Sequence, residues 1–409
     1  MSLLNFRKVL AAHRGMAVVV LVAAVGLIGK MMLAAGTGGP ADVRFFHGFA
    51  RNIAEVGPVR IYDHPMAHLP VYNHPPLAGW MLLVLNELAG RVADFSTLIR
   101  LPACLADFVS SILVFEIVRR RRSVRMAVAC GIGVTLSPVL IPTSGFHGNT
   151  DSVAVMFALA AAYLLADRKS PLAAGVCAAL SISVKFVPVV ALPALVIAAF
   201  RGGRRPFVRF AAGLGAVFLV VWGPALVTVP LALKEKVLEY EGGRTRLWGL
   251  IRFADWLGAP ESTIAFMRGD GHYVVVLITV AAGAWLAWRR PAELPAVVGV
   301  TMGVLLLLST ASGVQYLAWP VAGLFVIGLW EGLGYSLVAG ALASWVYAVH
   351  RAVRWNSFEL TVGAVGWLVL AIALASAVHK VLGARPPQAG AGSFPRQAIE
   401  PQQTVETRT

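Results

Sequence analysis

Charge is what this 409-residue chain has least of. Asp, Glu, Lys and Arg make up 13% of it and hydrophobic residues 58%, with a mean hydropathy of +0.74. Soluble domains carry roughly 25% charged residues, so a water-soluble globule is excluded. Acid is scarcer still, with 20 Asp and Glu against 35 Lys and Arg and a formal charge of +15. A nucleic-acid-binding chain would gather such an excess on one patch or stripe. Here the bases punctuate long apolar runs, as in a polytopic membrane protein, and nucleic acid is excluded as the main partner. Cysteine is nearly absent as well. Cys104, Cys130 and Cys177 lie in apolar segments without CxxC spacing or a His cluster, which argues against a disulfide framework or a zinc site. No convincing small-residue cleavage site follows the first apolar run. That run is about 20 residues, longer than a signal-peptide core, and reads as a retained first transmembrane helix. No internal repeat is evident.

What is present is a series of apolar segments near the length a bilayer requires. Candidate spans are 15–35, 97–118, 125–141, 151–166, 171–184, 187–200, 208–230, 273–288, 295–309, 317–330, 335–349 and 360–380, about 12 in all. The reading is an all-α polytopic membrane protein with one transmembrane domain over 1–384. Short basic loops stay cytoplasmic: the N-terminus, Arg119–Arg122 with Arg125, Arg168-Lys169, Arg201 with Arg204, Arg205 and Arg209, and Arg289-Arg290. This rule makes 75–90 an interfacial or re-entrant helix on the outer side. It also divides 171–200 into two short helices with Lys185 at the outer turn. Both termini are then cytoplasmic, although Arg351 and Arg354 fall outside, against the rule. The tail 385–409, rich in Pro, Gly, Gln and Thr, reads as disordered. Large outer loops cover about 36–96 and 231–272, and loops of such length are usually functional or disordered; their aromatic content argues against disorder.

Polar residues gather at the outer turns. Asp42 follows the first span closely. After it, Phe46, Phe49, Ile53 and Val56 recur at helical spacing, which predicts an amphipathic interfacial helix stopped by Gly57-Pro58. Asp42 could be its N-cap, a base with a pKa raised by partial desolvation, or both. Tyr72, Asn73 and His74 precede Pro75-Pro76, a natural helix start. His147, Asn149 and Asp151 sit in the turn Gly145–Ser152, where Asp151 could again be a cap. Lys185, alone between apolar helices, either snorkels or meets an anion such as a lipid phosphate. Gln315 and Tyr316 belong to the late turn Ser312–Pro320, whose Tyr and Trp could equally be interface anchors.

In order along the chain stand Asp42, the G-x-x-x-IY element Gly57–Tyr62, YNHPPL, GFHGNTDS, SVKFVP and VQYLAWP. Together they resemble the polyprenyl-phosphate-dependent glycosyltransferases of the C-type (GT-C) fold, in a bacterial mannosyltransferase-like branch, over about 40–320. The resemblance implies inverting transfer of a monosaccharide, a hexose such as mannose or else a pentose, from a polyprenyl-phosphate donor. The acceptor would be a glycan or glycolipid, lipid-linked or of the cell envelope. The protein would lie in the cytoplasmic (inner) membrane, with its site on the outer or periplasmic face. Asp42 would be the catalytic base. Lys185, Arg244 and Arg246 would hold phosphate, and His74, His147, Asn149, Asp151, Tyr72, Gln315 and Tyr316 would bind sugar or phosphate. A second carboxylate beside Asp42 is absent, since Val43 follows. No metal ligands are therefore assigned, and a divalent metal is not indicated. The competing class is a secondary transporter or flippase of a lipid-linked or small anionic substrate. It would place ionisable residues near the midplane within paired repeats.

Overall fold

A computed structural model describes residues 3–240, 249–310, 313–349 and 356–384; the side chains of 3–8 are outside the description. The described residues form helices joined by short turns, with no β-sheet. Every predicted apolar segment coincides with helix. Six helices are long and apolar enough to cross a membrane: Val9–Ala35, Phe95–Arg121, Arg204–Thr228, Gly271–Arg289, Pro291–Leu308 and Ser357–Gly383. Several others are shorter than predicted. The expected span 125–141 is a helix only over Val124–Thr135. Ser137-Pro138 interrupts it, because proline disfavours helix in the residue before it and removes a backbone donor. The chain resumes as a π-helical turn, Ile141–His147, where a tight turn was expected. The late segment 317–330 likewise breaks at Trp319-Pro320, so its α-helix covers only Val321–Ile327.

Of the two segments assigned from charge, Pro76–Leu88 is a 13-residue helix, about 20 Å long. The run 171–200 is split into Pro171–Val184 and Leu192–Arg201, with Lys185 extended between them. Small residues let these helices pack closely. A Cβ at Gly175 would strike the Phe210 carbonyl, and one at Gly213 the Leu172 carbonyl, so Pro171–Val184 and Arg204–Thr228 meet backbone to backbone.

The first outer loop builds a small core of its own. In the helix Ala41–Arg60, Phe46, Phe49 and Ile53 are buried while Arg44, Arg51 and Glu55 face outward, which is the predicted amphipathic division. Gly57, at φ 84°, kinks the helix rather than ending it, and a further turn runs to Arg60. Tyr62, Tyr72 and Leu82 close this cluster against Trp222 of the long helix Arg204–Thr228. The indole Nε1 of Trp222 donates to Ser183 Oγ at 2.8 Å, tying the loop to the end of Pro171–Val184.

One buried pair escaped the sequence reading. Lys30 Nζ lies 2.6 Å from Asp107 Oδ2, between the first helix and Leu101–Arg121, with side chains 4% and 5% exposed. Charges inside a membrane domain persist only when paired. Lys30→Met leaves Asp107 buried and alone, and should lower stability by about 3–5 kcal/mol. Adding Asp107→Leu should recover most of the melting temperature in detergent. A single variant as stable as the double one would show that the pair holds nothing together.

Candidate active site

The ends of the short helices and the first outer loop converge on a cavity of about 300 Å³. Of the predicted site residues, Asp42, His74, His147, Asn149, Asp151, Lys185, Gln315 and Tyr316 line it. Tyr72 does not. It is fully buried one layer behind, its ring 5.5 Å from that of His74, and it belongs to the apolar core of the loop. Arg244 and Arg246 lie outside the described residues. Phe45, Phe46 and Phe49 form an apolar wall, and Tyr240 of the second outer loop joins the lining.

Asp42 is not an N-cap. The helix begins at Ala41 behind Pro40, with no side-chain cap, because proline already fixes an extended start. The Asp42 carboxylate instead faces His147 Nε2 at 3.0 Å. On the far side of that ring, Nδ1 is 2.9 Å from the Tyr347 hydroxyl. A carboxylate only accepts, so Nε2 carries a proton toward Asp42, and the Tyr347 hydroxyl holds the ring from its other side. Contact with His147 pulls the Asp42 pKa below the usual carboxylate value, outweighing the opposing effect of burial, with Lys185 and His74 adding to the fall. The expectation of a raised pKa is therefore corrected: desolvation is present, but the hydrogen bond to the ring is stronger.

Asp151 is likewise not a cap but the first residue of its helix, after Thr150. Its Oδ1 accepts from Trp319 Nε1 at 2.6 Å, and its Oδ2 lies 3.7 Å from Lys185 Nζ. Tyr316, which lines the cavity, stacks on Trp319 within the late turn with centroids 4.4 Å apart. Burial works against the Lys185 ammonium. Asp151, Tyr316, Asp42 and Tyr240 together outweigh it and hold the pKa above the ordinary lysine value, so Lys185 is charged at neutral pH. About a fifth of its side chain stays open.

Several buried polar atoms around this space have no hydrogen-bond partner among the described residues: His74 Nδ1, Asn149 Nδ2, Thr150 Oγ1 and Asp151 Oδ2. Buried polar groups are nearly always satisfied, and their collection around one cavity marks a place for a polar ligand. Among the described residues no group of three or more His, Cys, Asp or Glu side chains is placed to hold a metal ion.

Three contributors were not foreseen. Tyr347 and Trp319 reach the site from helices and turns late in the chain, and nothing in their local sequence distinguishes them from interface aromatics. Arg100 is fully buried. It donates from Nε to Phe146 O at 2.8 Å, and from Nη1 to Ala34 O at 2.6 Å and Thr37 O at 2.9 Å. It thereby joins the end of the first helix to the turn that carries His147. The one signal that could have found it is a lone arginine between apolar segments.

Comparison with known proteins gives consistent results. A family model described as dolichyl-phosphate-mannose-protein mannosyltransferase matches residues 73–227. GPI mannosyltransferase 1 of Debaryomyces hansenii is 25% identical over 168 residues, 39% of this chain and 39% of that protein, so the match spans about two fifths of that relative's length. The crystal structure of ArnT from Cupriavidus metallidurans in the apo state superposes with a TM-score of 0.52 at 17% identity, covering 89% of this chain and 77% of that one. The same protein bound to undecaprenyl phosphate gives 0.51 at 17% identity over the same shares. The chain has the GT-C fold of an integral membrane protein, and all of these likenesses fit a GT-C polyprenyl-phosphate glycosyltransferase, as the order of motifs implied.

The site has a pH signature. Burial, reinforced by Lys185, lowers the pKa of His74 to about 3, against the smaller opposing pull of Asp42. In the unfolded chain the ring titrates near 6.5. Between about 3 and 6.5 the unfolded state binds the extra proton, so this stabilisation is complete above 6.5 and fades on acidification. The melting temperature should fall from pH 7 to pH 4, and less steeply in His74→Phe. Parallel profiles would show that His74 is not held neutral.

Proposed function

We propose that this protein transfers a monosaccharide from a polyprenyl-phosphate donor to a glycan or glycolipid acceptor, with inversion at the anomeric carbon. The observation that carries this reading is a carboxylate, Asp42, and a charged lysine, Lys185, on one phenylalanine-walled cavity rich in unsatisfied polar atoms. The mannosyltransferase description matching 73–227 and the GPI mannosyltransferase relative support a hexose, mannose first. ArnT bound to undecaprenyl phosphate supports a polyprenyl-linked donor. The basic loops gather at the opposite end of the bundle, the end that the positive-inside rule favours for the cytoplasm, which supports an outer or periplasmic site.

The chemistry follows from the groups present. The acceptor hydroxyl oxygen attacks the anomeric carbon as Asp42 takes its proton. The bond from that carbon to the phosphate oxygen breaks, and the electron pair leaves with the polyprenyl phosphate. Lys185 offsets the charge that develops there. A phosphate is a good leaving group, so no strong general acid is needed. The lowered pKa keeps Asp42 ionised and ready to accept, and the His147–Tyr347 chain fixes the direction of its lone pairs. Asn149 and Gln315 offer amides to sugar hydroxyls. Phe45, Phe46 and Phe49 give an apolar flank for the first isoprene units.

The direct test is an assay of purified protein against a panel of polyprenyl-phosphate sugars, with product glycolipid as the readout. Asp42→Asn should cut transfer by at least about a hundredfold. Its melting temperature should change little, because the Asn side-chain oxygen can still accept from His147 Nε2. Near-normal turnover would move the base to Asp151. Lys185→Met should weaken donor binding far more than it lowers stability; unchanged donor affinity would reduce Lys185 to a snorkelling residue. Tyr347→Phe removes the hydroxyl that holds His147 at Nδ1 and leaves the ring oriented by Asp42 alone. It should lower kcat by about tenfold or more with little change in donor KM. Movement of substrate across vesicles without any product would favour the transport reading instead.

A further inference from the structure

A second cavity, of about 420 Å³, opens at the other end of the bundle. The helix Asp151–Ala166 starts at the Asp42 cavity and ends at this one. The helix Pro171–Val184 runs back from it to Lys185. Sixteen helical residues separate the two sites, about 24 Å along the axis. The lining brings together Lys169, Arg201, Pro171, Pro206, Pro291 and Leu294 among other residues, and it contains two cations and no carboxylate.

The nearest acids are already engaged. Asp167 and Glu293 both pair with Arg121, at 2.9 and 3.2 Å, and Arg121 also donates to the Ala292 carbonyl at 2.9 Å. Among the described residues neither cation has a carboxylate partner, and one of them is held in place. The Arg201 guanidinium donates to the Trp288 carbonyl and lies 5.2 Å from the centroid of the Trp288 ring. Lys169 stands in the left-handed backbone region at φ 52°, which is uncommon for a residue with a side chain. Arg204 and Arg205 in the first turn of the adjoining long helix add positive charge where the helix dipole disfavours it. Apolar residues stand next to this lining in the chain. Leu172, Phe200, Val208, Trp285 and Trp288 present large exposed hydrophobic surfaces on the surrounding helices.

We propose that this cavity binds the headgroup phosphate of an anionic phospholipid. Its acyl chains would lie over the Leu172, Phe200 and Trp288 shelf, in the leaflet opposite the Asp42 site. A cationic pocket bordered by lipid-facing hydrophobic residues fits an amphiphile with an anionic head; a free anion would have no use for the shelf. A lipid seated here fastens together the ends of the helices 151–166, 171–184, 192–201 and 204–228. It is a different molecule, on the other side of the bundle, from any donor bound at Lys185.

The test uses the full-length protein, purified and delipidated in a neutral detergent. Phosphatidylglycerol, phosphatidylcholine and inorganic phosphate are added separately, with native mass spectrometry and melting temperature as readouts. Phosphatidylglycerol should leave retained adducts and raise the melting temperature, and phosphatidylcholine and inorganic phosphate should not. Lys169→Ala with Arg201→Ala should weaken phosphatidylglycerol retention by about tenfold or more. Equal retention of both lipids by the wild type would overturn the proposal, whether or not the variant folds. So would a double variant that keeps its preference. A shift of equal size with inorganic phosphate would show a free-anion site and defeat the lipid assignment.

Discussion

The geometry of the Asp42 cavity depends on one side chain that does not enter it. Arg100 starts the helix Leu101–Arg121 and reaches back to the carbonyls of Ala34, Thr37 and Phe146. The end of the first helix and the π-helical turn that carries His147 both leave carbonyls without their regular helical donors. A planar guanidinium with several N–H groups can satisfy carbonyls from two segments at once; a lysine ammonium could not match that fork. Neighbouring glycines make room for it. Gly39 and Gly148 have positive φ, at 71° and 72°, and a Cβ at either would overlap Arg100. With the two segments joined, Asp42 lies within hydrogen-bonding distance of His147.

The electrostatics of the site follow from that juxtaposition. Burial by itself would neutralise a carboxylate and a lysine. Here each keeps its charge because a specific partner outweighs burial: His147 for Asp42, and Asp151 with its neighbours for Lys185. His74 has no comparable partner, and the nearby Lys185 leaves it neutral. The outcome is one fixed negative and one fixed positive group on a cavity with an aromatic wall. That combination suits a ligand with both a hydroxyl-rich and an anionic part, and an isoprenoid beside them.

Much of this was legible in the chain. Charge depletion with basic punctuation defined the membrane class, and the positive-inside pattern divided 171–200 into two helices with Lys185 at their turn. Helical spacing of Phe46, Phe49 and Ile53 gave the amphipathic helix, whose apolar face packs into the core of the loop. The motif order brought forward most of the cavity lining. The corrections have local physical causes. Pro40 took the capping position from Asp42, and Ser137-Pro138 cut a span short. Tyr72 was drawn into the aromatic core of the loop rather than the site.

The sequence by itself determined the solvent of this protein and the ends of the bundle at which its polar residues lie, since hydropathy and loop charge are properties of short segments. Only the tertiary structure decided which polar residues meet. Asp42 and His147 are separated by more than a hundred residues of chain, as are Asp151 and Trp319. Lys30 meets Asp107 across 77 residues of chain, and Arg100 lies 46 to 66 residues from the three carbonyls that it holds. Such contacts are set by where helices cross and where prolines and glycines bend the backbone. No periodicity within a segment reports them, because the partner that sets each side chain's environment is supplied by another part of the fold.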